Sequence, residues 1–250
     1  MKLYKLLFVS FLLLSLKSFA TAQVPDYLIV GKDTLFIQSN PLEEYFKKHP
    51  IPENLIKNIS SANWRGYIAY FKFLDGKLVV ENIYKEDYVE NKNGKTEYIL
   101  TSIYKDIFGT TSNFKCDFYS GLLICPSGSM INYVHMGYSS VYDHYNLIEV
   151  KNGMNIKSKE MTGEEFQKFR RDYFKYYKRT EEYKLMAKEF KEMTVQSSNN
   201  GSFLIGHPGI GRENESLKKK EAEFNAEKQV DSFMFAFLSD YMKTIEIPTN

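Results

Sequence analysis

Two histidines and an aspartate near the middle of the chain are the first residues whose types could do chemistry. His135 sits in Tyr133-Val134-His135-Met136-Gly137-Tyr138, and His144 in Tyr142-Asp143-His144-Tyr145. Imidazoles titrate near neutral pH and ligate divalent metals, and Asp143 lies between the pair in sequence. The spacing matches no metal signature, and a further ligand would have to be borrowed from Asp117 or His207. No metal and no cofactor are therefore expected, and satisfied or exposed histidines are the plainer reading. A second group is Asn63-Trp64-Arg65-Gly66-Tyr67. Trp64 beside Arg65 at a strand start can grip a ligand by stacking and by a bidentate carboxylate contact. The same residues can instead close the end of a core, with Arg65 paired to an acid such as Glu43 and Gly66 allowing close packing over the indole. Tyr138 and Tyr142 complete the candidate binding set of Trp64, Arg65, Asp117, His135, Tyr138, Tyr142 and His144.

The chain has two cysteines, Cys116 and Cys125. A two-residue turn at Ser120-Gly121 would place them directly opposite each other in a hairpin. At a non-hydrogen-bonded position their Cα atoms would be about 4.5 Å apart, which a disulfide tolerates. A bond between them is expected if the chain enters an oxidising compartment. Other chemistry is not signalled. There is no Gly-x-Ser-x-Gly elbow and no His-Glu-x-x-His, and Ser127-Gly128-Ser129 reads as a turn. Gly206-His207-Pro208-Gly209-Ile210-Gly211-Arg212 lacks the Lys-Ser/Thr end of a phosphate loop.

These residues must be positioned by hairpins and helices. Tyr27–Val30 and Thr34–Ile37 read as strands around Gly31-Lys32. Trp64–Phe73 and Leu78–Ile83 read as a hairpin about Asp75-Gly76. Both faces of the former strand are largely apolar, which places it centrally in a sheet. Asn40-Pro41-Leu42-Glu43 signals a helix start with a capping box. Ile99, Ile103 and Ile107 have helical spacing, so residues 98–108 are expected as a short helix. Strands follow over 130–136, 146–150 and 155–159. From Thr162, capped by Glu165, the pattern turns helical, with stripes Phe166, Phe169, Tyr173, Tyr177 and then Tyr183, Met186, Ala187, Phe190. Residues 195–214 read as a flexible loop. A last helix is expected from about 216 to 243. Strands first and helices last give an α+β domain: an antiparallel sheet core built from hairpins, with the C-terminal helices on one face or end.

The beginning of the chain reads as an export signal over residues 1–22. Lys2 and Lys5 precede an apolar run of eleven residues, Leu6–Leu16, and Ala20-Thr21-Ala22 offers a cleavage site. About twenty apolar residues are needed to span a bilayer, so no stable membrane span is expected. Residues 23–250 then form one domain, sheet-rich over 26–160 and helical over 162–243. Without the leader's three lysines, 30 Lys and Arg stand against 31 Asp and Glu, and the net charge is −1 in place of +2. That balance gives no basic excess for nucleic acid.

Three segments carry a resemblance: Asn63–Ala69, Asp117–Gly128 and Tyr133–Tyr138, with Asn40–Glu43 fitting as well. Together, over roughly residues 26–150, the chain resembles a group of exported bacterial proteins of the Bacteroidota to which no activity is assigned. The resemblance implies an exported bacterial protein of the periplasm or beyond, and no activity. With nineteen Tyr and nineteen Phe, the expected function is binding of a protein, peptide or glycan through an aromatic surface. Two other readings stay open: a hydrolase using His135 with a nearby carboxylate, and an immunity or inhibitor protein.

Overall fold

The computed structural model describes residues 22–56, 60–135, 137–199 and 230–249. The expected leader lies outside the described residues apart from Ala22, as does the start of the expected last helix. The loop expected over 195–214 is helical to Asn199 and outside the described residues beyond it.

The chain folds as α+β. Among the described residues nine strands form one mixed sheet. β1 (Asp26–Val30) and β2 (Asp33–Ile37) make the first hairpin, and Leu42–Phe46 forms the short helix α1. β3 (Tyr67–Leu74) and β4 (Lys77–Glu90) make the second. It closes on Asp75 and Gly76, at φ 48° and 76°, the positive pair that a tight hairpin turn demands. β5 (Thr96–Ser102), helix α2 (Tyr104–Phe108) and the two-residue β6 (Phe114–Lys115) follow. β7 (Gly121–Asn132), β8 (Val141–Lys151) and β9 (Met154–Thr162) form a meander. Helix α3 (Gly163–Tyr177) and helix α4 (Glu181–Asn199) come next. Residues 230–236 are helical, and Leu238–Tyr241 make a 3₁₀ turn.

The sheet order is β2-β1-β3-β4-β9-β8-β7, with β5 and β6 paired to β4. Neighbours are antiparallel except β1 and β3, which run parallel with Leu28 beside Phe71. β3 is central, as its two apolar faces predict. The two ends of the order return to one another where Gln38 N donates to Ile124 O at 2.8 Å. The sheet therefore curls around an inner core containing Leu28, Ile37, Phe71, Val80, Leu123 and Ile148. Its outer face along β7 and β8 carries Leu122, Ile124, Tyr145 and Leu147 into a second core with Phe166, Phe169, Tyr173 and Met234. Alternate residues of one strand thus serve separate cores, because successive side chains point to opposite faces. Tyr145 stacks on Phe166 at 3.9 Å between ring centroids, which fixes α3 against β8.

Several expectations need correction. Helix α1 forms, but without the capping box expected of Asn40 and Glu43: its start has no side-chain cap. The disulfide does not exist: Cys116 and Cys125 are free and buried. β6 pairs with β4, and Cys125 pairs across to Asn146 of β8, so no cysteine hairpin forms. Tyr119 N instead turns back onto Cys116 O at 2.8 Å. Burial raises both thiol pKa values, that of Cys125 to about 12, and both side chains act as small apolar groups of the inner core. Residues 98–108 are not one helix. The chain is strand through Ser102 and helix only from Tyr104, ending on Gly109 at φ 66°. Ile99 faces solvent on β5 while Ile103 is buried, so the helical spacing was coincidental. Ser127-Gly128-Ser129 is not a turn between strands but a bulge inside β7, held where Ser129 N donates to Asp143 Oδ1 at 2.9 Å.

Candidate functional site

A buried polar seam underlies the candidate site. Asp26, first residue of β1, is 0% exposed, and Arg65 is 6% exposed. Arg65 Nη1 donates to Asp26 Oδ2 at 2.7 Å, and Nη2 donates to Val24 O at 2.7 Å. Ala69 N donates to Asp26 Oδ1 at 2.8 Å. Burial works against the Arg65 charge, but Asp26, with Tyr138 and Tyr67 behind it, holds the pKa well above the usual value. The guanidinium also lies over the Tyr67 ring, 4.9 Å from its centroid, and Tyr67 Oη donates to Glu43 Oε1 at 2.7 Å. Arg65 is thus structural, and its acid is Asp26 rather than Glu43. Gly66 is required for a different reason from the one expected. At φ 73°, a Cβ there would stand 2.3 Å from Ile56 Cγ2; Ile56, not Trp64, fills that space.

Beside the seam, segments from both ends of the chain meet. Asn40 N and Nδ2 each donate to Asp240 Oδ1 at 3.0 Å, and Nδ2 also reaches Oδ2 at 3.1 Å. Tyr138 Oη donates to Asn40 Oδ1 at 2.8 Å. Asn40 therefore joins two residues 98 and 200 positions away. The 3₁₀ turn is what brings Asp240 there. The expected helix to 243 stops near 236, and Leu238 and Met242 turn into the outer core. Burial pushes the Asp240 carboxyl up to about 6, against the Asn40 hydrogen bonds and Arg65, while Glu43 adds to the rise.

Above this pair opens a cleft of about 530 Å³, within the range of small-ligand sites. Ser39, Asn40, Tyr119 and Asp240 line its floor, and Trp64, Met186, Phe233, Phe237 and Tyr241 its walls. Glu43, Glu44, Lys47, Glu182 and Lys243 ring it with charge. Trp64 is 50% exposed and Phe233 41%, so the aromatic wall is open to a ligand. Another hollow of about 450 Å³ lies beside His144 and Glu165. Its Glu165 is already committed to the capping box with Thr162, and its lining holds a single aromatic, Tyr145, whose ring is stacked in the outer core.

The remaining sequence candidates are dispersed. Asp117 is exposed in the turn after Cys116. His135 is exposed with its ring edge against Tyr133, 4.8 Å between centroids. His144 is exposed beside Asp143, Nδ1 to Oδ1 3.2 Å. Tyr138 is buried as a hydrogen-bond donor, and Tyr142 packs half-buried on Phe36 at 5.3 Å. So Trp64, Tyr138 and Tyr142 make no common exposed patch, and Trp64 alone of the candidate set faces the cleft. Among the described residues, no group of three or more His, Cys, Asp or Glu could hold a metal ion, and no helix is long and apolar enough to cross a membrane. Sequence reasoning missed Asn40 and Asp240 as a pair. The nearest signal was a helix-start motif at Asn40 with no side-chain cap and the acid amid Phe237 and Tyr241. No family model, curated protein or solved structure matches the chain, and the resemblance carried by Asn63–Ala69 and Tyr133–Tyr138 gains nothing from these comparisons.

Proposed function

We propose that the protein is an exported binding domain that seats a short peptide or glycan segment in the Trp64 cleft. The observation that carries this reading is the half-exposed Trp64 on the wall of a ligand-sized cleft with the Asn40–Asp240 pair on its floor. A large aromatic left open to water beside buried polar groups offers an apolar face and a few fixed polar contacts, the usual make-up of a ligand site. Three hydrogen bonds tether the segment from Asp240 to Lys243 on one side of the cleft: Asn40 N to Asp240 Oδ1 at 3.0 Å, Lys243 N to Tyr173 Oη at 2.8 Å, and Leu122 N to Met242 O at 2.9 Å. A ligand would meet a site that is already formed, which lowers the cost of ordering it.

The His135 hydrolase reading draws no support from the geometry, since His135 stands exposed against Tyr133. Export through residues 1–22 belongs to the proposal and is tested by the intact mass of the protein recovered outside the cytoplasm, expected to begin at Gln23. The binding reading is tested on peptide and glycan arrays probed with the natural protein and with Trp64→Ala. The expected result is a set of ligands lost with Trp64→Ala at unchanged folding. Ligands captured equally by both proteins would overturn it.

A further inference from the structure

The geometry points to an alkyl-ammonium group as what the Trp64 cleft recognises, carried either by a free amine or by a lysine side chain of a peptide. This rests on the cleft being the binding site. Four carboxylates line the cleft, Glu43, Glu44, Glu182 and Asp240, against the two ammonium groups of Lys47 and Lys243. Lys243 Nζ lies 3.8 Å from Glu44 Oε2, so those two charges offset each other. The acidic surplus on the lining shares one cleft with an open indole, and a cation with a short apolar stem uses both, the stem on the ring and the charge toward the carboxylates.

The hydrogen bonding separates this from a neutral sugar. Asp240 already accepts from Asn40 N and twice from Asn40 Nδ2, and Glu43 Oε1 accepts from Tyr67 Oη. Asp240 thus has little acceptor capacity left for the directional contacts that hydroxyls need, and Glu43 has one oxygen engaged. Their charge is not used up, because the Asn40 amide and the phenol that meet them are neutral. Arg65, the nearest buried cation, is matched by Asp26. An anionic ligand would meet repulsion from the same residues, and like charges brought together in a partly dry site cost affinity.

The test uses Trp64 as its own reporter, since it is the single tryptophan of the chain. The natural protein is titrated with cadaverine, with N-acetyl-lysine methylamide and with a neutral trisaccharide, following indole emission. The expected result is a saturable change with one or both amines, weakened about threefold to tenfold by Glu182→Gln and by raising salt from about 20 to about 500 mM. A response to cadaverine alone identifies a free amine, and a response to the lysine amide identifies a peptide side chain; either supports the assignment. Silence with both amines, while the trisaccharide or an array ligand still shifts the emission, overturns the ammonium class and leaves the cleft as the site. Silence with every ligand overturns both. Glu182 is exposed in the first turn of α4, so its substitution leaves folding intact, which circular dichroism checks.

Discussion

At the Trp64 cleft and behind it, segments far apart in sequence close on one another: Asn40, Trp64 and Asp240 of the lining come from a helix start, a strand approach and a 3₁₀ turn, and Tyr138, bonded to Asn40, from a connecting loop. His135 and His144 instead stand exposed at separate positions, each beside a sequence neighbour. His135 leans on Tyr133 two residues away, and His144 on its immediate neighbour Asp143. The Asn40–Asp240 pair is buried or partly buried and committed to partners, whereas His135 and His144 are exposed and screened by water. The difference teaches that residue type draws attention to histidines, while burial and long-range hydrogen bonding mark the place where the fold has invested structure.

The contrast is broken most severely at Arg65. Arg65→Met leaves Asp26 uncompensated in the interior and is expected to cost about 3–5 kcal/mol, read as a lower urea midpoint; a cost under about 1 kcal/mol would mean the pair is not sealed from water. Asn40→Ala removes the side-chain donor to Asp240 and the side-chain acceptor of Tyr138, leaving the backbone N–H on Asp240, with an expected loss of about 1–3 kcal/mol, whereas His135→Ala should stay within about 0.5 kcal/mol.

Asp240 adds a pH signature. Its folded-state pKa near 6 lies above its ordinary value, so the folded protein holds this proton more tightly than the unfolded chain does. Its contribution is fully present below the ordinary carboxylate range and is lost as pH rises through about 6. Asp240→Asn should flatten the stability profile between about pH 4 and 6, by an amount on the order of 1–3 kcal/mol. An unchanged profile would mean that the carboxyl is solvated.

The smallest effect is redox. With Cys116 and Cys125 free, dithiothreitol should not move the melting temperature, and the denatured protein should titrate two thiols. A drop in melting temperature on reduction would restore the rejected bond.

What could be read from the sequence was local. Thr162 and Glu165 form the full capping box, with Glu165 N reaching Thr162 Oγ1 at 3.3 Å, because that motif is decided within four residues. The hairpin at Asp75-Gly76 is legible for the same reason. The cysteine segment failed because the pairing of Phe114 and Lys115 with Val80 and Val79 is set by the curl of the whole sheet, which no local turn signal reports. In the candidate site Trp64 was visible as a residue type. Asp240 was not, since its meaning depends on Asn40, 200 positions away, and on a helix that ends early.

The most direct measurement is the indole N–H resonance of Trp64, a single peak in a nitrogen-correlated NMR spectrum, followed while the best array ligand is added to the natural protein and to Glu182→Gln. Binding in the cleft gives a saturable displacement of that peak in the natural protein and a weaker apparent affinity in the variant. A ligand that binds by calorimetry while the indole peak stays fixed would place its site elsewhere and contradict the assignment of the cleft.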